Sequence, residues 1–380
     1  MPHSNGLAGG PRAIGFAGYT AAEPEQQAFG VASALATRGH EVHVFAPVPA
    51  CRSYYQQLNG LHHHMIGLDS RCASRWTDLA EASPYYLRST EGVAGPFDVL
   101  HGHHRAFLPV LAEGKSNSRA KAFLTLYSEA GIPVLSSVRG GARLHPLDAV
   151  ERIVVPSHAV KSRIVERLRI PEDKVDITYP GVALQRYSRW VDQGKVKMRC
   201  GFGPTDPIVL CVGEMSRATA PDVLLEAMFE LVRTFPPAKL IFVGDGPMLP
   251  YLRDRAGVLG MLPSTRFFGF VSDEDLVELY NACDIVCLPF RAGRADQTVL
   301  EAWCAGKPTI VSRAAAPDFL EPGVDGIVTK PEVASVAQAI ATCLADMRAC
   351  LEMGRRAWHR VDQEFSWEAV ASKTLQVYNQ

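Results

Sequence analysis

The feature that most constrains this chain is a repeated alternation of short apolar runs with stretches of helical spacing, in two successive series. In the first series an apolar run at 13–17 leads through a polar loop to a helical stretch at 25–38. Gly39 stops that helix, and 41–46 reads as a buried strand. A strand, a helix and a strand in this order demand a parallel pair joined by a right-handed crossover. Further apolar runs lie at 99–100, 133–138 and 153–155, Ser157 is a good N-cap for the helix that follows, and 174–179 is extended.

The second series is cleaner. Strands are predicted at 208–212, 239–243, 266–270, 284–288 and 309–312. Between them fall helices at 222–233, 248–259, 273–280 and 297–305, the last stopped by Gly306 ahead of Pro308. Val223, Met228, Leu231 and Val232 share the apolar side of the first of these helices. Helices at 334–346, 351–361 and 367–378 finish the chain. The fold class is therefore α/β, with two doubly wound, Rossmann-like parallel sheets in tandem. At 380 residues the chain exceeds what one core usually holds. The weakly periodic stretch 181–205 marks the boundary, giving domains at 1–190 and 191–362 and a terminal helix at 363–380. Ligands of such sheets bind outside the carboxyl ends of the strands, so a cleft between the domains is the expected site.

Composition narrows the function classes. Net charge is −1 with no basic run, which gives no electrostatic reason to expect nucleic acid and leaves peripheral contact with an anionic membrane open. The first residues lack the pattern of a secretory signal, and no apolar stretch reaches spanning length. The nine cysteines are scattered and contain no Cys-x-x-Cys pair. Reduced thiols and a cytoplasmic location are the expectation. No Gly-x-Gly-x-x-Gly follows a strand, which argues against a nicotinamide dehydrogenase.

Five ordered blocks then carry a resemblance. They are VGEMSRATAPDVLLEA (212–227), KLIFVGDGP (239–247), RFFGFVSDEDLVELYNACDIVCLP (266–289), VLEAWCAGKPTIVS (299–312) and EPGVDGIV (321–328). Together they resemble the C-terminal domain of the group 1 (family 4) glycosyltransferases. EFSWEAVA (364–371) is similar to that family's closing helix, and RGHEVHVFAP (38–47), FDVLHGHH (97–104) and RIVVPSHAVKSRI (152–164) to its N-terminal domain. The resemblance implies a GT-B fold: two facing doubly wound domains, the second holding a nucleoside-diphosphate sugar of the UDP or GDP type. The N-terminal domain would hold a small-molecule or glycan acceptor, and the C-terminal helix would cross back onto that domain. It also implies retention of anomeric configuration, with neither a metal ion nor a tightly bound cofactor.

The same resemblance assigns roles. Glu301 matches the second glutamate of the family's Glu–seven residues–Glu motif, which bonds the donor ribose hydroxyls, and a carboxylate can accept from two vicinal hydroxyls. Gln297, Thr298 and Val299 open the helix ahead of it, where backbone N–H groups would meet phosphate unless Asp296 caps that end. Gly213, Gly244 and Gly246 follow strands and suit either close approach of a nucleotide or tight strand-to-helix turns. Phe270 and Val271 fall where the family grips the base, although a core aromatic fits Phe270 as well.

Several positions depart from the family pattern. The usual Arg and Lys at the donor diphosphate are Glu214 and Thr219, the sugar-contacting glutamate is Gly293, a usual His is Arg139, and the N-terminal Gly-Gly loop reads Ala22-Glu23. Arg217, Arg291 and Arg294 are guanidinium groups that either compensate or stand as exposed surface arginines, and Arg139 beside Gly140 and Gly141 either grips an anionic acceptor or a donor phosphate or makes a loop salt bridge. His62, His63 and His64 and the group His101, His103 and His104 read as ordinary strand-end histidines, with His101 or His103 as acceptor contacts, and no metal site is expected. The leading expectation is an active glycosyltransferase. A fold that has lost turnover and acts as a partner subunit stays open, as does altered sugar-nucleotide chemistry on the same scaffold. Donor base, acceptor and any homo-oligomer or protein partner stay open too.

Overall fold

The structure is a computed structural model that describes residues 13–17, 23–48, 53–67, 96–117, 120–127, 137–139, 142–144 and 146–380. Ala22, Gly140 and Gly141 lie outside the described residues, as do the side chains of Glu23 and Arg139. The chain divides into two compact units, Met1–Gly181 with Trp367–Gln380, and Val182–Ser366. The division thus falls earlier than position 190. Val182 N–H donates to Phe365 O at 2.9 Å, and Tyr187 packs edge-to-face on Tyr280, so 182–190 is stitched into the second unit.

In the first unit, strands β1 (Ala13–Ala17), β2 (Glu41–Val48), β3 (Tyr54–Leu58), β4 (Leu61–Gly67), β5 (Val99–Gly102), β6 (Lys121–Thr125), β9 (Arg152–Val155) and β10 (Val175–Ile177) form one sheet. Its order is β10-β9-β6-β5-β1-β2-β4-β3, parallel throughout except for β3 against β4. Strands β7 (Ser137–Arg139) and β8 (Ala142–Leu144) make a separate antiparallel pair. Sequence reading missed the β3–β4 hairpin. Its signal was Asn59-Gly60, both at positive φ (53° and 78°), as a two-residue hairpin turn requires. Ser157 caps the helix His158–Leu168 as expected, accepting from Val160 N–H at 3.2 Å.

Two helices of this unit meet although they are far apart in sequence. Helix α1 (Glu23–Thr37) packs on the terminal helix Trp367–Tyr378, whose Val370, Ala371, Val377 and Tyr378 join Val31, Leu35, Val42 and Val99 in one core cluster. Gly30 on one side and Gly181 on the other lie so close to the Trp367 ring that a Cβ on either would collide with it.

The second unit holds strands β11 (Ile208–Val212), β12 (Lys239–Val243), β13 (Thr265–Phe267), β14 (Ile285–Leu288), β15 (Thr309–Ser312) and β16 (Ile327–Thr329). They form an all-parallel sheet in the order β13-β12-β11-β14-β15-β16. Being covered on both faces, these strands are nearly continuous apolar runs: β14 and β15 are buried at every position. The strand order reverses between β11 and β14, and that switch point is where such sheets hold ligands.

Candidate active site

Beyond the carboxyl ends of β11, β12 and β13, three loops are laced together by backbone bonds. Gly213 N–H donates to Val243 O (3.0 Å), Met215 N–H to Asp245 O (2.9 Å), and Gly244 N–H to Gly269 O (2.7 Å). The glycines are obligatory for this lacing. Gly244 sits at φ +124° and a Cβ there would collide with Gly213 O, while at Gly246 (φ +155°) a Cβ would lie 2.6 Å from Met215 O. These glycines make tight turns, and by doing so they bring bare backbone to the surface.

The bare backbone borders a cleft of about 710 Å³, lined by Gly213, Gly244, Gly246, Phe270 and Val271 together with the carboxylates of Glu214 and Asp245. Phe270 was placed at the end of a strand. Strand β13 stops at Phe267, and Phe270 is 85% exposed at the cleft, which removes the core reading of this ring.

On the other side of β11, the loop after β14 is tied to the Gly213–Ala220 segment, because Ala218 O accepts from Arg291 and Ala292 N–H at 2.7 and 3.1 Å. A helix, Asp296–Cys304, follows. Its ladder begins with Val299 N–H donating to Ala295 O at 2.8 Å, so Val299 is already committed. The first-turn donors outside the ladder are those of Asp296, Gln297 and Thr298, one residue earlier than expected. Asp296 does not cap this helix. It is the first helical residue, and its carboxylate takes the Arg294 guanidinium, with Nε at 2.8 Å.

The three arginines expected to offset the missing diphosphate cations separate here. Arg294 is held by Asp296, and Arg291 makes a two-pronged pair with Asp222 at 3.0 and 2.9 Å. Arg217 is exposed, and among the described residues its side chain has no hydrogen bond or ion pair. At the position where the family has lysine, the Thr219 hydroxyl donates to Glu214 O and Ser216 O, closing the turn instead of facing a ligand. Gly293 takes φ +97°, a left-handed conformation that disfavours a side chain such as glutamate.

Glu301 occupies the middle of this helix. Its Oε2 accepts from Tyr280 Oη at 2.9 Å and its Oε1 from Gln297 Nε2 at 3.2 Å. Burial raises its pKa above the ordinary glutamate range, against the lowering effect of those donors. Nothing in the sequence flagged Tyr280 as its partner.

The histidines of the first unit are engaged. His101 is buried, with Nδ1 at 2.7 Å from Tyr378 Oη and Nε2 at 2.8 Å from Thr125 Oγ1, and burial pushes its pKa well down. It fastens the terminal helix and leaves no ring nitrogen for an acceptor. His103, its pKa lowered by burial to about 3, borders a pocket of only about 40 Å³, room for roughly one water. Glu41, His43 and His62 bring ligand-type atoms within 4.8 Å of one another. The His43 and His62 rings, however, stack 4.4 Å apart and 9° from parallel, so their in-plane lone pairs do not converge on one point. Arg139 ends the β7 strand of the small hairpin.

Known proteins share this fold. A family profile described as glycosyltransferase family 4 matches residues 25–186, and one described as glycosyl transferases group 1 matches 206–346. An uncharacterized glycosyltransferase of Methanocaldococcus jannaschii is 25% identical over 92% of both chains. A glycosyltransferase structure from Rickettsia africae superposes with a TM-score of 0.75 at 18% identity, covering 97% of this chain and 98% of its own. Anabaena HepE in complex with UDP gives 0.73 at 15% identity, covering 96% and 99%. No described helix is long and apolar enough to cross a membrane. With both halves matched in order, the chain belongs to the group 1 glycosyltransferases of GT-B fold, enzymes that use nucleotide sugars.

Proposed function

We propose that this protein transfers a sugar from a nucleoside-diphosphate sugar, of the UDP or GDP type, to an acceptor hydroxyl, with retention and without a metal ion. The observation that carries this reading is the glycine-lined cleft at the ends of β11–β13. Backbone groups and the exposed Phe270 ring there suit the flat face and polar edge of a base. Glu301 would take the ribose, and Arg217 with the first-turn amides of the 296–304 helix would take the diphosphate. In the reaction the bond from the anomeric carbon to the diphosphate oxygen breaks with its electron pair, a bond to the acceptor oxygen forms on the same face, and the acceptor proton leaves toward the departing phosphate. The protein's part is to position the reactants and stabilise leaving-group charge. Arg139 is proposed to contact an anionic acceptor.

The test is calorimetry against UDP and GDP with and without EDTA. Binding of one of them, unchanged by EDTA, is the expected result. Glu301→Ala should weaken it about tenfold or more, since a hydrogen bond to a charged group contributes roughly 1.5–3 kcal/mol. Arg217→Ala should weaken the nucleoside diphosphate and leave the bare nucleoside unaffected. Absence of binding to either nucleotide would sink the reading.

Affinity should also depend on pH in a stated direction. The Glu301 pKa is raised, so protonation begins at a higher pH than for an ordinary glutamate. Nucleotide binding measured by calorimetry should therefore be full at neutral pH and fall as pH drops through that raised value, a fall that Glu301→Gln should abolish.

A second reading, a nucleotide-binding partner subunit without turnover, is favoured by one observation. Two of the three compensating arginines are already paired, while Glu214 and Asp245 line the cleft with negative charge. Nucleotide binding with no hydrolysis or transfer from any donor sugar would select it.

A further inference from the structure

The terminal helix Trp367–Tyr378 is fastened at its two ends by different chemistry. At its start the Trp367 ring is clasped by Gly30 and Gly181, a contact with nothing to titrate. Arg38 adds hydrogen bonds to Glu368 O at 2.7 Å and Ser372 Oγ at 2.6 Å, and a guanidinium keeps its charge at any ordinary pH. At the far end, Tyr378 Oη lies 2.7 Å from Nδ1 of His101, and the His101 and His103 rings stack with centroids 4.4 Å apart.

Both imidazoles are shut away from water: they are buried, and the space beside them is only about 40 Å³. Among the described residues, the groups that face the pair come from four directions. They are Thr374 and Tyr378 of the terminal helix, Thr125 and Tyr127 at the end of β6, Gln27 of α1, and Thr178 and Tyr179 after β10. None of these is a carboxylate. The charged group bonded to the helix end is a cation, Lys121, whose Nζ donates to Tyr378 O at 3.2 Å. Arg105, two positions on from His103, is another. A proton on either ring would sit in a dry site with no negative partner among these groups.

We propose that the stacked His101–His103 pair is an acid-sensitive latch, holding the Tyr378 end of the terminal helix at neutral pH and releasing it in mild acid, with the Trp367 clasp as the pivot. The direction follows from linkage. Burial holds both pKa values below the ordinary 6.5, that of His103 at about 3, so the docked pair stays neutral. Lifting the helix lets water in, and each ring then takes up a proton near pH 6.5. Docking is unopposed above that pH and is increasingly opposed as pH falls through it.

The experiment is amide hydrogen exchange of residues 370–378 at pH 7 and pH 5, corrected for intrinsic rates, with helix Pro221–Val232 of the second unit as the internal reference. For two titrating rings, protection of the terminal helix should fall by roughly 600-fold, and in His103→Gln by roughly 25-fold. Tyr378→Phe keeps both imidazoles, so it should lower protection by one factor at both pH values and retain the response to acid.

A fall of less than about threefold in the wild-type protein would overturn the latch. An equal loss of protection in β5 and β6 would do the same, since the whole first unit would then be opening. So would an undiminished response in both His101→Gln and His103→Gln, or a response that vanishes in Tyr378→Phe.

Discussion

Gly244→Ala should destabilise the second unit by about 2–6 kcal/mol and abolish nucleotide binding. The position combines two costs. At φ +124° an L-residue is strained by about 1–3 kcal/mol, and the added methyl would drive into Gly213 O, an overpacking cost of about 1–3 kcal/mol more. The carbonyl it meets is main chain, held by the bond from Gly213 N–H to Val243 O, so it cannot yield as a side chain would. Relief would come only from separating the β11 and β12 loops, which is the same as opening the cleft. Gly260→Ala is the matched control: it too has positive φ (+68°), but a Cβ there meets nothing within 4 Å. Thermal unfolding of the two variants should show a large drop in midpoint for Gly244→Ala and a small one for Gly260→Ala. Equal drops would mean that backbone strain alone, and not the collision, governs the site.

Asp325→Ala should cost a comparable 3–5 kcal/mol through a different mechanism, the orphaning of a buried charge. The Asp325 side chain is 0% exposed and pairs with Arg360, itself 20% exposed. Its Oδ1 also accepts from Glu321 N–H at 2.8 Å, closing the 321–325 turn. Arg360 in turn donates to Phe319 O at 2.9 Å and lies over the rings of Trp303 and Phe365, each 5.8 Å from its guanidinium carbon. Removal of the aspartate leaves a guanidinium inside an aromatic cage with only the exposed Glu321 and Glu364 nearby. Urea unfolding followed by tryptophan fluorescence measures the loss. Replacing both partners, Asp325→Leu with Arg360→Met, should recover a large part of it, because the double variant leaves no unpaired charge. A double variant as unstable as the single one would show that the pair's hydrogen bonds to the loop, rather than its charges, hold this region.

How far the sequence could be read depended on whether the signal was local. The central strands of the second unit announce themselves because they are buried and written in apolar runs, IVLCV at 208–212 and LIFV at 240–243, whereas the half-buried edge strand β16 carries no such run and was not read. The β3–β4 hairpin is written in Tyr, Gln and His, which give no apolar alternation, and only its Asn-Gly turn spoke for it. Positions of the site were legible where a short motif fixed them: Gly213, Gly244, Gly246, Phe270 and Val271 do converge on one cleft. What the arginines do was not legible. Arg291 finds its acid 69 positions away, at Asp222, through a loop contact that no spacing reveals. The shift of the available helix amides from 297–299 to 296–298 is a displacement of one residue, below what sequence patterns resolve at a helix end. The same holds for Tyr280, 21 residues from Glu301 on another helix.

Trp367, clasped between Gly30 and Gly181, has a consequence for how the protein is made. The first unit includes Trp367–Gln380, and its core cluster is completed by Val370, Ala371, Val377 and Tyr378. A ribosome builds residues 182–366 before it reaches any of these. The second unit is continuous in the chain and can fold while synthesis is still under way, whereas the first, although begun earlier, waits with an open slot beside α1 until the last helix emerges. The half that starts first is finished last, and a chain stalled before Trp367 would carry one completed half and one with its apolar slot uncovered.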